Sequence, residues 1–97
     1  MQLTGKQKRF LRSKAHHLTP IFQVGKDGVN ENMMVQVGEA LEKRELIKVS
    51  ILQNCMEDKE DVATKLVEGT DASLVQIIGN TIVLYKESKE NKEIELP

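Results

Sequence analysis

Aromatic side chains are nearly missing from this chain: Phe10, Phe22 and Tyr85 make up 3% of it, and there is no tryptophan. Recognition by stacking on exposed rings can therefore contribute little, the more so because two of the three fall in apolar patterns that bury them. The single Cys55 has no partner for an internal disulfide or a zinc site, so a packing or helix-start role and a reducing, cytoplasmic setting are expected. No apolar run approaches the roughly 20 residues of a membrane span, and no apolar stretch follows the basic N-terminus as a secretory signal would require. Paired carboxylates, metal-spaced clusters and a nucleophile beside a base are missing too, so no enzyme, metal or cofactor is expected. His16 and His17 are adjacent, and on a helix their rings diverge instead of chelating one ion. Ninety-seven residues, 39% hydrophobic and 30% charged, describe one soluble domain.

One further absence points towards function. Residues 1–26 hold six basic side chains (Lys6, Lys8, Arg9, Arg12, Lys14 and Lys26) and no acid, although the chain as a whole carries a net charge of -1. The remaining 71 residues hold eight basic side chains against all fifteen acids. A segregated basic block suits a polyanion better than the overall charge suggests, although an ordinary solvated face has the same composition. The block ends at Gly25-Lys26-Asp27-Gly28, where an apolar strand gives way to a helix. Glycines allow positive φ and a close backbone approach, helix-start N–H groups attract anions, and Lys26 adds a mobile charge. The loop suits a phosphate, and it also reads as a plain turn.

The periodicity predicts a helix from Thr4 to about Leu18, opened by a Thr4/Gln7 capping box. Leu3, Phe10, Leu11, Ala15 and Leu18 form its apolar stripe, and Lys8, Arg9, Arg12 and His16 form a basic ridge. Ile21–Val24 is a short strand. Asn30 caps a second helix with Met33, Met34, Val37, Ala40 and Leu41 inward, and Gly38 inside it costs about 1 kcal/mol relative to Ala. Leu46–Leu52 is a strand. Asn54 and Glu57 suggest a capping box for a third helix running to Glu68 with Val62, Ala63, Leu66 and Val67 inward, broken by Gly69-Thr70-Asp71. Ser73–Ile78 and Thr81–Tyr85 are strands joined by Gly79-Asn80, a pair suited to a II′ turn.

The order α-β-α-β-α-β-β implies an α/β (α+β) fold with a mixed four-stranded sheet, in which each β-α-β crossover makes parallel neighbours and the last pair is antiparallel. Phe22, Val24, Ile47, Val49, Val75 and Ile77 are expected on one apolar face. Gln23, Lys48 and Gln76 are expected on the other, partly wet face. Residues 1–86 form the domain and 87–97 a charged, flexible tail. If the first strand runs back antiparallel to the first helix, Lys26 comes to lie beside the helix's basic N-terminal half.

The blocks Leu3–Arg12, Ala15-His16, Leu18-Thr19-Pro20, Val24–Gly28, Glu45–Val49, Leu74–Gly79 and Thr81–Tyr85 together resemble CRM-domain proteins, specifically the single-domain bacterial YhbY-like group. The resemblance covers roughly residues 3–86. Lys86 stands where arginine is common and Asn30 where a threonine-like cap is often found; the charge and the capping oxygen are kept. The resemblance implies a fold similar to the C-terminal domain of bacterial translation initiation factor three. It also implies RNA binding in the assembly or maturation of the large ribosomal subunit, with ribosomal RNA of its precursors as partner. It puts RNA contacts on Gly25, Lys26, Asp27 and Gly28 and on Lys8, Arg9 and Arg12, with His16 joining through the ridge. Recognition by shape and backbone, by a monomer, is the expectation. A protein-interaction module of a ribosome-associated complex, using the acidic remainder of the chain, and a nucleotide-binding enzyme are the alternatives.

Overall fold

The computed structural model describes residues 2–97. Helix α1 (Gly5–Ala15) is followed by β1 (Phe22–Val24), α2 (Glu31–Arg44), β2 (Leu46–Ile51), α3 (Lys59–Thr70), β3 (Ser73–Ile78) and β4 (Thr81–Tyr85). The element order and the mixed four-stranded sheet agree with the sequence reading, but the strand neighbours do not. The strands lie in the order β1-β2-β4-β3. Parallel pairing sets Val24 of β1 against Ile51 of β2. β3 is not beside β2, because β4 turns back into the slot between them and pairs antiparallel with both. The reason is the composition of β4: Ile82–Tyr85 are apolar on both sides, and such a strand belongs in a sheet's interior. At the turn, Gly79 has φ +55 while Asn80 is not left-handed, as a II′ hairpin requires.

The sheet separates two cores. On one face Val37 and Leu41 of α2 and Val62 and Leu66 of α3 cover Val24, Ile47, Val49, Ile82 and Leu84. On the other, Leu3 and the Leu11 and Ala15 stripe of α1 cover Leu46, Val75, Val83 and Tyr85. Val75 thus leaves the face expected for it. The register passes from Leu74 opposite Leu84 to Gln76 opposite Val83, and this bulge turns Val75 towards α1.

Three boundaries also shift. α1 stops at Ala15, so Leu18 lies outside its buried stripe and is 37% exposed. α3 starts at Lys59 with Asp58 as N-cap and no side-chain cap, instead of at an Asn54/Glu57 box. Asn54 and Glu57 turn instead towards Gly25 and Gly28. Gly69 lies within the last turn of α3, where a Cβ would stand 2.3 Å from the sulfur of Met34; the reversal falls at Asp71, with φ +60.

The segment after Tyr85 is docked, contrary to the flexible tail expected for 87–97. The Glu45 carboxylate accepts the backbone N–H groups of Ser88 at 2.8 Å, Glu93 at 2.7 Å and Ile94 at 2.8 Å. Glu42 accepts those of Lys89 at 2.9 Å and Glu90 at 3.0 Å, and the Ser88 hydroxyl donates to it at 2.7 Å. Ile94 and Leu96 then close over the α1 core. The Lys89 N–H, the Ser88 hydroxyl and the Glu90 N–H bring the Glu42 carboxyl down from 4.5 to about 2. Burial works against the charge of Glu45, but the N–H groups of Ile94, Ser88 and Glu93, with the Lys92 ammonium, outweigh it and hold its pKa below the ordinary value.

Both pKa values are depressed on folding, so their contribution to docking is full above the ordinary carboxylate value of 4.5 and is lost as the pH falls through about 2 for Glu42. Protection factors of the Ser88, Lys89 and Glu90 amides, taken against the intrinsic rate at each pH, are therefore expected to fall across that window ahead of those of the sheet amides, and Glu42→Gln to lower those of Lys89 and Glu90 at neutral pH. Uniform exchange along the chain would contradict this. Gly38 offers a test of opposite sign. Nothing lies within 4 Å of the Cβ it lacks, so Gly38→Ala is expected to stabilise the protein by about 0.5–1 kcal/mol in urea unfolding.

Candidate nucleic-acid interface

α1 forms because Thr4 and Gln7 close its first turn: the Gln7 N–H donates to the Thr4 hydroxyl at 3.1 Å and the Thr4 N–H to the Gln7 side chain at 3.0 Å. Its apolar stripe sets it across β2, β3 and β4. At its end the His16 N–H donates to the Arg12 carbonyl at 3.1 Å, and the chain turns into the His16-His17 pair. The two rings meet edge to face, 5.4 Å apart. Lys48, from the polar face of β2, donates to the Leu18 carbonyl at 2.9 Å and ties the helix exit to the sheet.

Between the second half of α1 and the uncovered part of the sheet lies an open groove of about 480 Å³. Arg12, His16, His17 and Lys48 are its charged or titratable lining, Gln76 and Ile78 of β3 line it as well, and no carboxylate does. Low-dielectric walls around charges of one sign concentrate the field, and this groove is built to attract an anion.

The glycine loop lies at the far end of β1. The Gly28 N–H donates to the Gly25 carbonyl at 3.0 Å, closing a turn with exposed Lys26 and Asp27 at its tip. Asn30 caps α2, accepting the Met33 N–H at 2.8 Å. The Asp27 carboxylate takes no part in holding the loop; the backbone closes the turn. Only Gly28 of the two glycines has a left-handed φ, +66. A Cβ there would stand 2.3 Å from a carboxylate oxygen of Glu57, which is ion-paired with Lys65. At Gly25 it would stand 3.4 Å from the Asn54 side chain. Gly28 thus makes room for the segment before α3, whereas a Cβ at Gly25 would meet Asn54 at ordinary contact distance.

The residues expected to form one site divide into three groups. Arg12 and His16 line the groove, so it is the second half of α1, not the N-terminal half, that borders the wet sheet face. Lys8 and Arg9 are exposed on α1 outside that lining. Lys26 and Asp27 lie beyond the end of β1. The Ile21 N–H bonds the Lys48 carbonyl, and Gly25 follows four residues later, about 13 Å further along the strand direction. Gln23 and Ser50 span the interval on the same sheet face.

A family model for the CRS1/YhbY (CRM) domain matches residues 3–86. The chain belongs to the CRM domain family. The "Probable RNA-binding protein YqeI" of Bacillus subtilis is 80% identical over 95 residues, which span 98% of this chain and 99% of that protein. An "RNA-binding protein" of Haemophilus influenzae is 41% identical over 95 residues, 98% of this chain and 95% of its own length. The solution structure of a hypothetical Staphylococcus aureus protein, described as a candidate RNA-binding protein, superposes with a TM-score of 0.82 at 62% identity, covering 99% of this chain and all of that one.

In this CRM domain, Lys48, His17, Gln76 and Ile78 join the groove without having been assigned to a site from the sequence. The polar alternation at Lys48 and Gln76 marks the wet sheet face, but only the crossing of α1 over that face turns it into a groove. The loop geometry leads to a stability test. A left-handed φ costs an L-residue about 1–2 kcal/mol, so Gly28→Ala is expected to destabilise by at least that amount in urea unfolding, with any collision against Glu57 added to it. Adding Glu57→Ala should return only the part due to the collision, and an unchanged midpoint for Gly28→Ala would refute the geometry.

Proposed function

We propose that this CRM domain binds ribosomal RNA of large-subunit precursors and acts, without catalysis, in their assembly or maturation. The observation that carries RNA binding is the acid-free groove of Arg12, His16 and Lys48 in a chain whose net charge is -1. A chain with more acids than bases gains such a surface only by sorting its charges, and a phosphate backbone is the polyanion that rewards it. The relatives' names support the same partner. The ribosomal assignment rests on the family resemblance.

The RNA backbone enters the groove against Arg12, His16 and Lys48 and continues over Gln23 and Ser50 to the loop, where Lys26 meets a further phosphate. Lys8 and Arg9 extend the contact along α1. With few rings available, affinity comes from charge and shape, and sequence preference is weak. The protein works as a monomer in the cytoplasm.

Filter binding of structured RNA at a series of salt concentrations tests this reading. Three to five neutralised phosphates give a slope of log K against log salt of roughly -2 to -3.5 for single-stranded segments. Arg12→Ala with Lys26→Ala should make that slope shallower by about 1.4 and leave the melting temperature unchanged. A salt-independent affinity would overturn the RNA reading. Sedimentation of the tagged protein away from large-subunit precursors in a sucrose gradient would overturn the ribosomal assignment alone.

A further inference from the structure

β3 is an edge strand, and apart from the bulge at Val75 nothing in it protects the edge. Ser73-Leu74-Val75-Gln76-Ile77-Ile78 contains no charge and no proline, Ile78 is 56% exposed, and no backbone bond from another element reaches the outer side of Leu74–Ile78 among the described residues. Edges of this length are ordinarily blunted by lysine, proline or a covering element, because unpaired N–H and C=O groups invite another strand. Beside the edge, on the face opposite the cationic groove, lies an apolar groove of about 300 Å³ between α3 and β3. Ala63, Val67, Leu74 and Ile77 line it, and Glu60 and Glu68 stand at its rim, neither of them in an ion pair.

The dimensions define an occupant. Glu60 and Glu68 are eight residues apart on α3, about 12 Å along the helix axis. α3 turns at Asp71 directly into β3, so helix and strand run side by side in opposite directions. On an added strand, side chains at i and i+4 share a face and are about 13 Å apart, with i+2 between them. A strand paired with β3 would therefore set an apolar side chain over the middle of the groove, level with Ala63 and Thr64 and between Leu74 and Ile77, when a basic side chain stands opposite each glutamate. A second copy of this chain is the wrong occupant. Two-fold pairing of β3 with β3 puts both α3 helices on one face and turns Glu60 and Glu68 of one copy towards those of the other.

We propose that the β3 edge takes up an extended segment of a basic protein, with the pattern basic-x-apolar-x-basic facing α3, as a fifth strand of the sheet. The surface shares β3 with the cationic groove but lies on the strand's outer edge and opposite face, and it does not depend on the RNA reading. Main-chain pairing supplies the affinity, and the groove with its two carboxylates selects the side chains.

The test is a titration of the isotope-labelled full chain with a synthetic eleven-residue peptide, threonine-rich, with Lys-Thr-Val-Thr-Lys at its centre. Amide shifts are expected along Leu74–Ile78 and in the last turns of α3, with slowed exchange on the outer edge of β3. Glu60→Lys with Glu68→Lys should weaken binding about tenfold, and a Glu-Thr-Val-Thr-Glu peptide should prefer that variant to the parent chain. Should circular dichroism show that the reversal disturbs the fold, Glu60→Gln with Glu68→Gln should weaken binding about fivefold. The proposal fails if β3 amides stay unshifted at saturating peptide, if affinity ignores the charge changes, or if sedimentation shows the chain alone dimerising through β3.

Discussion

The burial of β4 on both faces is the constraint around which the domain is arranged. Ile82 and Leu84 complete the core beneath α2 and α3, and Val83 and Tyr85 complete the core beneath α1, all four at most 1% exposed. No other strand serves both layers so fully. Placing β4 between β2 and β3 separates two strands that a simple crossover would leave adjacent, and it makes β3 an edge. The open part of the α1 face then becomes the cationic groove, and the exposed side of β3 becomes an unpaired margin.

A second constraint is electrostatic. Glu45 ends α2 with a φ of +65, where glycine is the ordinary choice. A glycine would relieve the backbone but would lose the carboxylate that gathers three N–H groups of the C-terminal segment. The side chain's hydrogen bonds therefore offset the strain of the main chain. Glu42, one turn earlier, extends the same device to Ser88, Lys89 and Glu90. A segment with little apolar content is thus held by two carboxylates of α2, and Ile94 and Leu96 reach the α1 core only because it is held.

These two constraints divide the molecule electrically. Arg12 of the basic N-terminal block, joined by Lys48, lies on the α1 side, where the groove contains no acid. Acids crowd α3 and its neighbourhood, where the Glu57 carboxylate packs against Gly28 of the glycine loop and Glu60 and Glu68 line the second groove. A chain with a net charge of -1 can in this way present two surfaces of opposite character.

Elements whose causes are local are legible in the chain: the Thr4/Gln7 box, the Asn30 cap, the Gly79-Asn80 turn and the alternation that puts Lys48 and Gln76 on a wet face. The sequence by itself also determined the family, because ordered motif blocks survive without knowledge of their contacts. Tertiary structure decided whatever depends on groups far apart in the chain. The slot taken by β4 depends on competition among strands for two buried faces, and the bulge at Val75 on how β3 meets β4. Glu42 and Glu45 lie more than forty residues from the N–H groups they accept, so no local pattern marks that docking. Gly28 follows the same rule: its place in the loop is visible in the chain, but Glu57, the side chain that fills the space beside it, arrives only when α3 packs beside the sheet.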